Sequence, residues 1–525
     1  MNYKVVIPSA GLGSRIGPYS KFLNKALVTI GDKPAIAKVI EKFPIEIEII
    51  ILIGYKGEMI KDALSIIFPE RKLKFIKVDK YQGLGSGLGY TLAKAKKYLQ
   101  CPFIFIPNDT IIGEDNINLD PNLHGNWIGY YVNKNRNYNS EHFRCIELSQ
   151  DRNFVSSISG KGTLNENIYC GICGVQDFKS FWKGMNDKKS IESGEVNGLR
   201  FIRNLKAFQI HEWYDCGTLN YLEKAKEKFN NFEHNILEKE DETIWFVKDN
   251  VIKFCTKEDF ISDRVNRLKF LPKDLFPKII KHNKYCYTYK KVPGQVVSEI
   301  LNPSMLLELL DECSNKLWSK NMPINKTIIK SCYNFYREKT YLRLEHFLKR
   351  FEQIDKPRVI NGLQVDSVKN LLDSLNWAEI CEKPNWSLFH GDLHNENIIY
   401  SKKKGFTLLD WRQNFAQKSL KYGDAYYDLA KIKHGLLVNH GLVKRKFFKI
   451  SELNSNEVNI SILQLSNLIE CNQELDNWIK KNSYDLKKVN IITALIYINI
   501  SGLHDHPYSN FLYIYGQNLL AKFLN

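Results

Sequence analysis

Pro8-Ser9-Ala10-Gly11-Leu12-Gly13-Ser14-Arg15 follows directly on the apolar run Val5-Val6-Ile7. A strand that ends in a loop of small residues lets backbone N–H groups approach phosphate oxygens without interference from Cβ atoms. The spacing is neither G-x-G-x-x-G nor G-x-x-x-x-G-K-[ST], so the dinucleotide and P-loop readings both lose ground. Arg15, and then Lys25 in Asn24-Lys25-Ala26-Leu27, put two cations soon after the loop. Such a pair suits a triphosphate whose transition state gains charge. Outward from this point, Val5–Pro8, Ile47–Ile53, Phe75–Val78 and Phe103–Ile106 read as strands. Ala35–Lys42, Gly57–Ile67 and Tyr90–Leu99 read as the helices between them. That alternation over residues 1–225 predicts an α/β domain with a mostly parallel sheet covered by helices.

The segments PSAGLGSR and NKALVTIGDKPAI resemble the signature of nucleoside-diphosphate-sugar pyrophosphorylases, roughly A-A-G-x-G-x-R, then P-K-x-L, then G-x-P-[LM]-I. Four further segments keep the order: the glycine-rich Gly83–Gly89, Asn108-Asp109 at a strand end, Asn167–Gly174, and Trp213-Tyr214-Asp215-Cys216-Gly217-Thr218. The resemblance implies a Rossmann-like, GT-A type nucleotidyltransferase domain over residues 1–228. It implies that Ala10, Gly11, Gly13, Gly85 and Ser86 contact the nucleotide. Arg15 would stabilise departing pyrophosphate, and Lys25 the α-phosphate or the incoming phosphate. Asp109 and Asp215 would hold Mg²⁺, a hard ion that favours carboxylate oxygens. Asn24 stands where the family has proline, and Asn108 where it has glycine.

Around residues 226–243 the chain turns strongly polar (KEKFNNFEHNILEKEDE), and the domain junction is placed there. A hairpin-like pair follows, Thr243–Val247 and Val251–Phe254, around Asp249-Asn250. From about 303 the pattern is mainly helical, with one β-rich interruption near 386–411. Within it lies His390-Gly391-Asp392-Leu393-His394-Asn395-Glu396-Asn397-Ile398, then Leu408-Leu409-Asp410-Trp411. Phosphoryl transfer to an alcohol needs a carboxylate near the hydroxyl, and an amide and a carboxylate on Mg²⁺. Asp392, Asn397 and Asp410 supply that set. The pattern H-G-D-x-x-x-x-N, [IL]-D-W and G-D-x-x-x-D-L-A (Gly423–Ala430) resembles the aminoglycoside phosphotransferase and choline kinase family.

This second resemblance implies an α+β protein-kinase-like domain over 229–525, with an N-lobe at about 235–300 and a helical C-lobe at about 301–525. Asp392 would be the base, Asn397 and Asp410 the Mg²⁺ ligands, and His390 and Asp428 supports of the catalytic loop. Lys253 is placed like the strand lysine that contacts ATP phosphates. Its acidic partner stays open among Glu258, Asp259 and Asp263.

Composition sets the remaining expectations. The chain has 525 residues, is 44% apolar and carries a formal charge of +17. The lysines are spread rather than gathered in a stripe, so a nucleic-acid partner is not expected. No leader-like segment opens the sequence, and Ile45–Ile53 and Val489–Ile500 are too short and broken to span a bilayer. Eleven cysteines show no regular framework, and Cys170-x-x-Cys173 reads as packing in a reducing cytoplasm. The substrates are small molecules, and oligomeric state is left open. A kinase of small hydroxylated molecules makes the phosphate monoester that a pyrophosphorylase consumes. The expectation is therefore consecutive use of ATP and of a second NTP, CTP or UTP, toward an NDP-activated precursor of a cell-surface glycan such as capsule or lipopolysaccharide. The alternatives are the specific pair choline kinase and phosphocholine cytidylyltransferase, or one catalytically dead, regulatory domain.

Overall fold

A computed structural model of the chain describes residues 3–17, 19–113, 118–187, 190–229, 241–319, 322–416 and 419–524. It contains two compact units: residues 1–261 with 280–289, and residues 262–279 with 290–525.

In the first unit the run Lys4–Ser9 is an interior strand of a seven-stranded sheet. The strand order is Lys206–Gln209, Trp127–Val132, Asn167–Val175, Phe103–Phe105, Lys4–Ser9, Ile49–Ile53, Leu73–Lys77. Lys4–Ser9 runs parallel to Ile49–Ile53 and Phe103–Phe105, and Asn167–Val175 runs antiparallel to both its neighbours. The sheet is thus mostly parallel and covered on both faces. Because side chains alternate along a strand, Val5, Ile7, Ile49 and Ile51 enter one buried cluster, and Val6, Ile50 and Leu52 the other. The helix Gly57–Ile67 has the expected bounds, whereas the segment read as one helix over Tyr90–Leu99 starts at Leu88 and ends at Ala93. Cys170 and Cys173 are buried free thiols, and Cys173 faces Phe105 across the sheet.

The junction differs from the expected 228/229. Residues 230–240, the middle of the polar stretch, lie outside the described residues. The hairpin strands Glu242–Val247 and Asn250–Cys255 belong to a four-stranded sheet completed by Cys286–Lys290 and Ile279–His282. Much of this sheet packs with the first unit. Trp245, Val247, Ile252 and Phe254 share one apolar core with Ile30, Ala37 and Ile60. Trp245 Nε1 donates to Thr29 Oγ1 at 3.0 Å, and Phe246 N–H to Asp32 O at 2.7 Å. Asn283 Nδ2 donates to Asp62 O at 2.8 Å. The apolar face of the hairpin needed a partner and found it some 200 residues upstream in sequence.

The second unit is mostly helical. Leu486–Ser501 and Tyr508–Leu524 are apolar nearly all round and form its buried centre. Among the described residues no helix is long and apolar enough to cross a membrane. Between Lys326–Cys332 and Lys339–Arg350 the helix passes through a π-helical turn, Tyr333–Glu338. The β-rich interruption resolves into Trp386–Leu388, paired with Tyr422–Asp424, and the hairpin Ile398–Ser401/Gly405–Leu408. A further sheet, ordered Leu363–Val365, Arg358–Ile360, Glu457–Ile462, Phe448–Asn454, lies in the region read as helical.

Candidate active sites

The strand Lys4–Ser9 delivers the loop Ala10–Gly13 to the mouth of a cleft of about 510 Å³. Ala10, Gly11, Arg15, Lys25, Ser86, Asp109 and Asp215 all line it. Gly13 and Gly85 do not; each sits at positive φ and shapes the turn beside it. Two glycines of the Gly83–Gly89 run have a packing reason: a Cβ at Gly87 would lie 2.3 Å from Ile191 O, and one at Gly89 1.7 Å from Ser190 O. Asn24 explains its departure from proline. Fully buried, its Nδ2 donates to Ser9 O at 3.1 Å and Tyr55 O at 2.8 Å, while its Oδ1 accepts from Ala26 N–H at 2.9 Å. That clamp ties the turn bearing Lys25 to the end of the first strand.

The short strands Thr110–Ile112 and Trp213–Asp215 pair antiparallel, with Asp215 opposite Thr110. This pairing brings together two carboxylates that are 106 positions apart in sequence. Both flank Gly217, whose missing Cβ would stand 2.9 Å from Asp109 Oδ2 and 3.2 Å from Asp215 Oδ1. Lys25 Nζ forms an ion pair with Asp109 Oδ2. Burial would raise the Asp109 carboxyl, but Lys25, with Arg15 behind it, outweighs burial and holds it below the ordinary value. At Asp215 burial, and then the negative charge of Asp109, outweigh Lys25 and Arg15 and push it up to about 7. Asn108 Oδ1 and Ser9 Oγ are buried at the same cleft without a hydrogen-bond partner. Unpartnered oxygens and a repelling carboxylate pair fit a hard cation completed by substrate phosphates and water. Among the described residues no group of three or more His, Cys, Asp or Glu is placed to hold a metal alone.

Sequence reading missed Lys161. It lines the cleft, and burial, with Arg15 and Arg144 nearby, lowers its pKa. No local motif marks it, since it lies in a loop between strands.

In the second unit the loop His390–Asn397 is tied to Asp428 and to the segment bearing Asp410. Buried Asp428 accepts N–H bonds from His390 and Gly391, both at 2.6 Å, and from Trp318 Nε1 at 3.1 Å. Burial still dominates and lifts its carboxyl to about 6. His390 is fully buried, which pushes it down to about 4 and keeps it neutral. Its Nδ1 accepts the Asp392 N–H at 3.1 Å, and its Nε2 donates to Leu409 O at 2.8 Å. The histidine thus fixes the loop bearing Asp392 to the segment bearing Asp410. Gly391 has φ +87, and a Cβ there would meet Arg412 Cβ at 2.6 Å. Asn397 Nδ2 donates to Asp392 O at 3.0 Å and faces Asp392 Oδ2 at 3.5 Å, while the Asn397 main-chain carbonyl accepts Leu409 N–H at 2.7 Å. Asn397 and Asp410 therefore lie on joined segments and offer the amide and carboxylate oxygens that suit Mg²⁺.

Basic residues that sequence reading did not single out hold this site. Arg264 forms a buried ion pair with Asp410. Arg267, one turn along the same helix, is fully buried and donates to the carbonyls of His390 (3.1 Å), Phe389 and Arg412. Burial lowers its pKa to about 9. Lys431 Nζ lies 2.8 Å from Asp392 Oδ1. Of the three acids left open as partners for Lys253, Glu258 pairs at the surface with Lys284 at 2.7 Å, and Asp263 accepts from Asn414 Nδ2 at 3.3 Å. Lys253 itself is buried in its strand, not turned to solvent.

No protein-family model matches the chain. It is 28% identical over 229 residues to the bifunctional protein GlmU of Methanococcus maripaludis, covering 40% of this chain and 51% of that one. It is 31% identical over 135 residues to UTP–glucose-1-phosphate uridylyltransferase 2 of Staphylococcus saprophyticus, covering 22% and 46%. The chain thus spans about half the length of the curated relatives it matches. Among solved structures, a UDP-glucose pyrophosphorylase from Acinetobacter baumannii overlaps at a TM-score of 0.37 and 18% identity, covering 44% of this chain and 93% of that one. CTP:phosphocholine cytidylyltransferase from Streptococcus pneumoniae overlaps at 0.35 and 18%, covering 44% and 100%. The N-terminal half of this chain, with its cleft of paired carboxylates and cations, resembles nucleotidyltransferases.

Proposed function

We propose that the chain phosphorylates a small hydroxylated metabolite with ATP and then transfers a nucleotidyl group onto the phosphate so formed. The observation that carries this reading is the convergence of Arg15, Lys25, Asp109 and Asp215 on one cleft. In the N-terminal reaction a phosphate monoester oxygen attacks the α-phosphorus of an NTP, the bond to the bridging oxygen breaks, and pyrophosphate leaves. Lys25 and Arg15 offset the charge that gathers on the phosphoryl oxygens. Asp109 and Asp215 would hold Mg²⁺, which screens the repulsion between the attacking and attacked phosphates. Uridylyltransferases among the relatives favour UTP and a sugar phosphate.

In the C-terminal half Asp392 accepts the proton of the acceptor hydroxyl as its oxygen attacks the γ-phosphorus and ADP leaves. Asn397 and Asp410 would hold Mg²⁺ on the ATP phosphates, and His390 and Asp428 keep the base in place. The product is the monoester that the other half consumes, which supports a cytoplasmic role in supplying an activated precursor of a surface glycan. The test is a panel: the full chain, Mg²⁺ and ATP with candidate sugars and amino alcohols, then each NTP with the phosphorylated products, read by mass spectrometry. An NDP-linked product is expected. Phosphorylated products that are never nucleotidylated with ATP, CTP, GTP, UTP or dTTP would sink the consecutive reading.

A further inference from the structure

Asp392 presents its two oxygens to different neighbours. Oδ2 faces Asn397, on the side of the metal-binding segment, and Oδ1 faces Lys431 at 2.8 Å. Beyond Lys431 lies an uncommon collection of positive charge. Lys339 stands at the first position after the π-helical turn, its Nζ 3.6 Å from the centre of the Phe335 ring and 5.5 Å from that of Tyr427. The Arg412 guanidinium lies 4.9 Å from the same Phe335 ring. Its stem packs against Gly391, next to the catalytic base. Arg412 Nε is buried with no hydrogen-bond partner. Among the described residues neither Lys339 nor Arg412 meets a carboxylate. Lys433 pairs with Asp476, Lys488 with Asp424 at 3.5 Å, and Arg264 with Asp410, while Arg267 is satisfied by three backbone carbonyls. Burial, with Arg412, Arg343 and Lys431 close by, pushes the Lys339 ammonium well below the ordinary lysine value.

Crowding like charges in a half-buried site is unfavourable unless an anion offsets it. The ATP side already has its own partners in Asn397 and Asp410, whereas of the crowded cations Lys431 lies at Asp392 Oδ1 and Arg412 beside Gly391. We propose, resting on the kinase reading above, that the acceptor carries an anionic group, a phosphate or a carboxylate, besides the hydroxyl that is phosphorylated. Lys339 and Arg412 bind that group while the hydroxyl lies against Asp392. A cationic acceptor such as an amino alcohol is repelled by the same residues, and a neutral sugar leaves them without a counter-charge.

The test uses the full chain with Mg²⁺ and ATP and acceptors matched except for charge: glucose, glucuronate and glucose 6-phosphate; glycerol, glycerate and glycerol 3-phosphate; choline and glucosamine. Products from anionic members alone are expected, and the carboxylate and phosphate arms say which anion is read. Lys339→Met keeps the apolar stem, so it should raise KM for the accepted anion at least tenfold. KM for ATP should move less than twofold. Turnover of neutral or cationic members in preference to anionic ones overturns the proposal, as does a rise in KM for ATP alone. If no member turns over, titration with inorganic phosphate decides: binding at least tenfold weaker in Lys339→Met supports it, and equal binding overturns it. Calorimetric titration of wild type and Asp410→Asn with MgATP tests the kinase reading separately. A chain that binds no MgATP fails that reading, and this inference with it.

Discussion

Cutting the chain after residue 229 should leave an N-terminal piece that is much less stable than one ending at residue 289. The shorter piece keeps all seven strands of the large sheet but loses Trp245, Val247, Ile252 and Phe254, which are at most 4% exposed in the shared core. Burying such a side chain contributes about 1.5–3 kcal/mol, so the four together contribute about 6–12 kcal/mol as an upper estimate. Part of that area is covered within the hairpin's own sheet. The hydrogen bonds to Thr29 and Asp32 add about 1 kcal/mol each. Even the lower end rivals the whole stability of an ordinary domain, about 5–15 kcal/mol. The assay is urea unfolding of the 1–229 and 1–289 pieces, followed by far-ultraviolet circular dichroism. With a slope of about 2–3 kcal/mol per molar, a loss of about 6 kcal/mol moves the midpoint down by about 2–3 M. Equal midpoints for the two pieces would refute the reasoning and show that the hairpin adds nothing to the first unit.

Lys25→Met should cut nucleotidyl transfer by about 10²–10³-fold while leaving phosphorylation intact, measured by pyrophosphate and ADP release. Asp215→Asn should abolish transfer yet stabilise the fold. The wild-type carboxyl is raised in the folded protein, so the stability it supplies is complete below pH 3.8 and is lost as pH climbs through about 7. Urea titrations should therefore show the variant gaining on wild type by up to about 1.4 kcal/mol per pH unit across that window; a constant gap would contradict this. Asp392→Asn should stop ADP formation and spare transfer from a supplied phosphate monoester. Asp428→Asn should lower kinase turnover and cost about 3 kcal/mol, because an amide nitrogen would face backbone N–H groups, as thermal unfolding would show. Removing Mg²⁺ with a chelator should halt both reactions, and adding it back should restore them.

The parts visible in the sequence are those set by local pattern. The run Val5-Val6-Ile7 and the five apolar residues Ile49–Ile53 are strands buried on both faces, and continuous apolar runs read that way. The motif residues of the loop His390–Asn397 lie within eight positions, and the loop is hydrogen-bonded to Asp428 and to the segment bearing Asp410. What stayed hidden depends on meetings between distant segments. Arg264 is 146 positions from Asp410. Lys431 reaches Asp392 from the helix Ala425–Leu437, one position past the motif Gly423–Ala430, where no pattern marks it. The sheet containing Arg358–Ile360 exists because Glu457–Ile462 supplies its partner strand, and three residues without that partner carry no strand signal. The glycine run Gly83–Gly89 misled in part, since chemistry and close backbone approach demand the same residue. Asn24 stood out only as a mismatch until its three hydrogen bonds showed why a side-chain amide serves where proline is usual.

The chain leaves the first unit after Ile261, returns for Ile280–Tyr289, and leaves again. That path carries a consequence for synthesis. A growing chain emerges from its N-terminus at about 5–20 residues per second, and domains tend to fold in that order. Here the first unit lacks the strand Cys286–Lys290 until the helix Glu258–Leu268, bearing the arginines of the other site, has already been made. The ribosome therefore cannot complete the first unit before it has begun the second. A gene break between the two units would have to fall beyond the codons for that strand, or duplicate them.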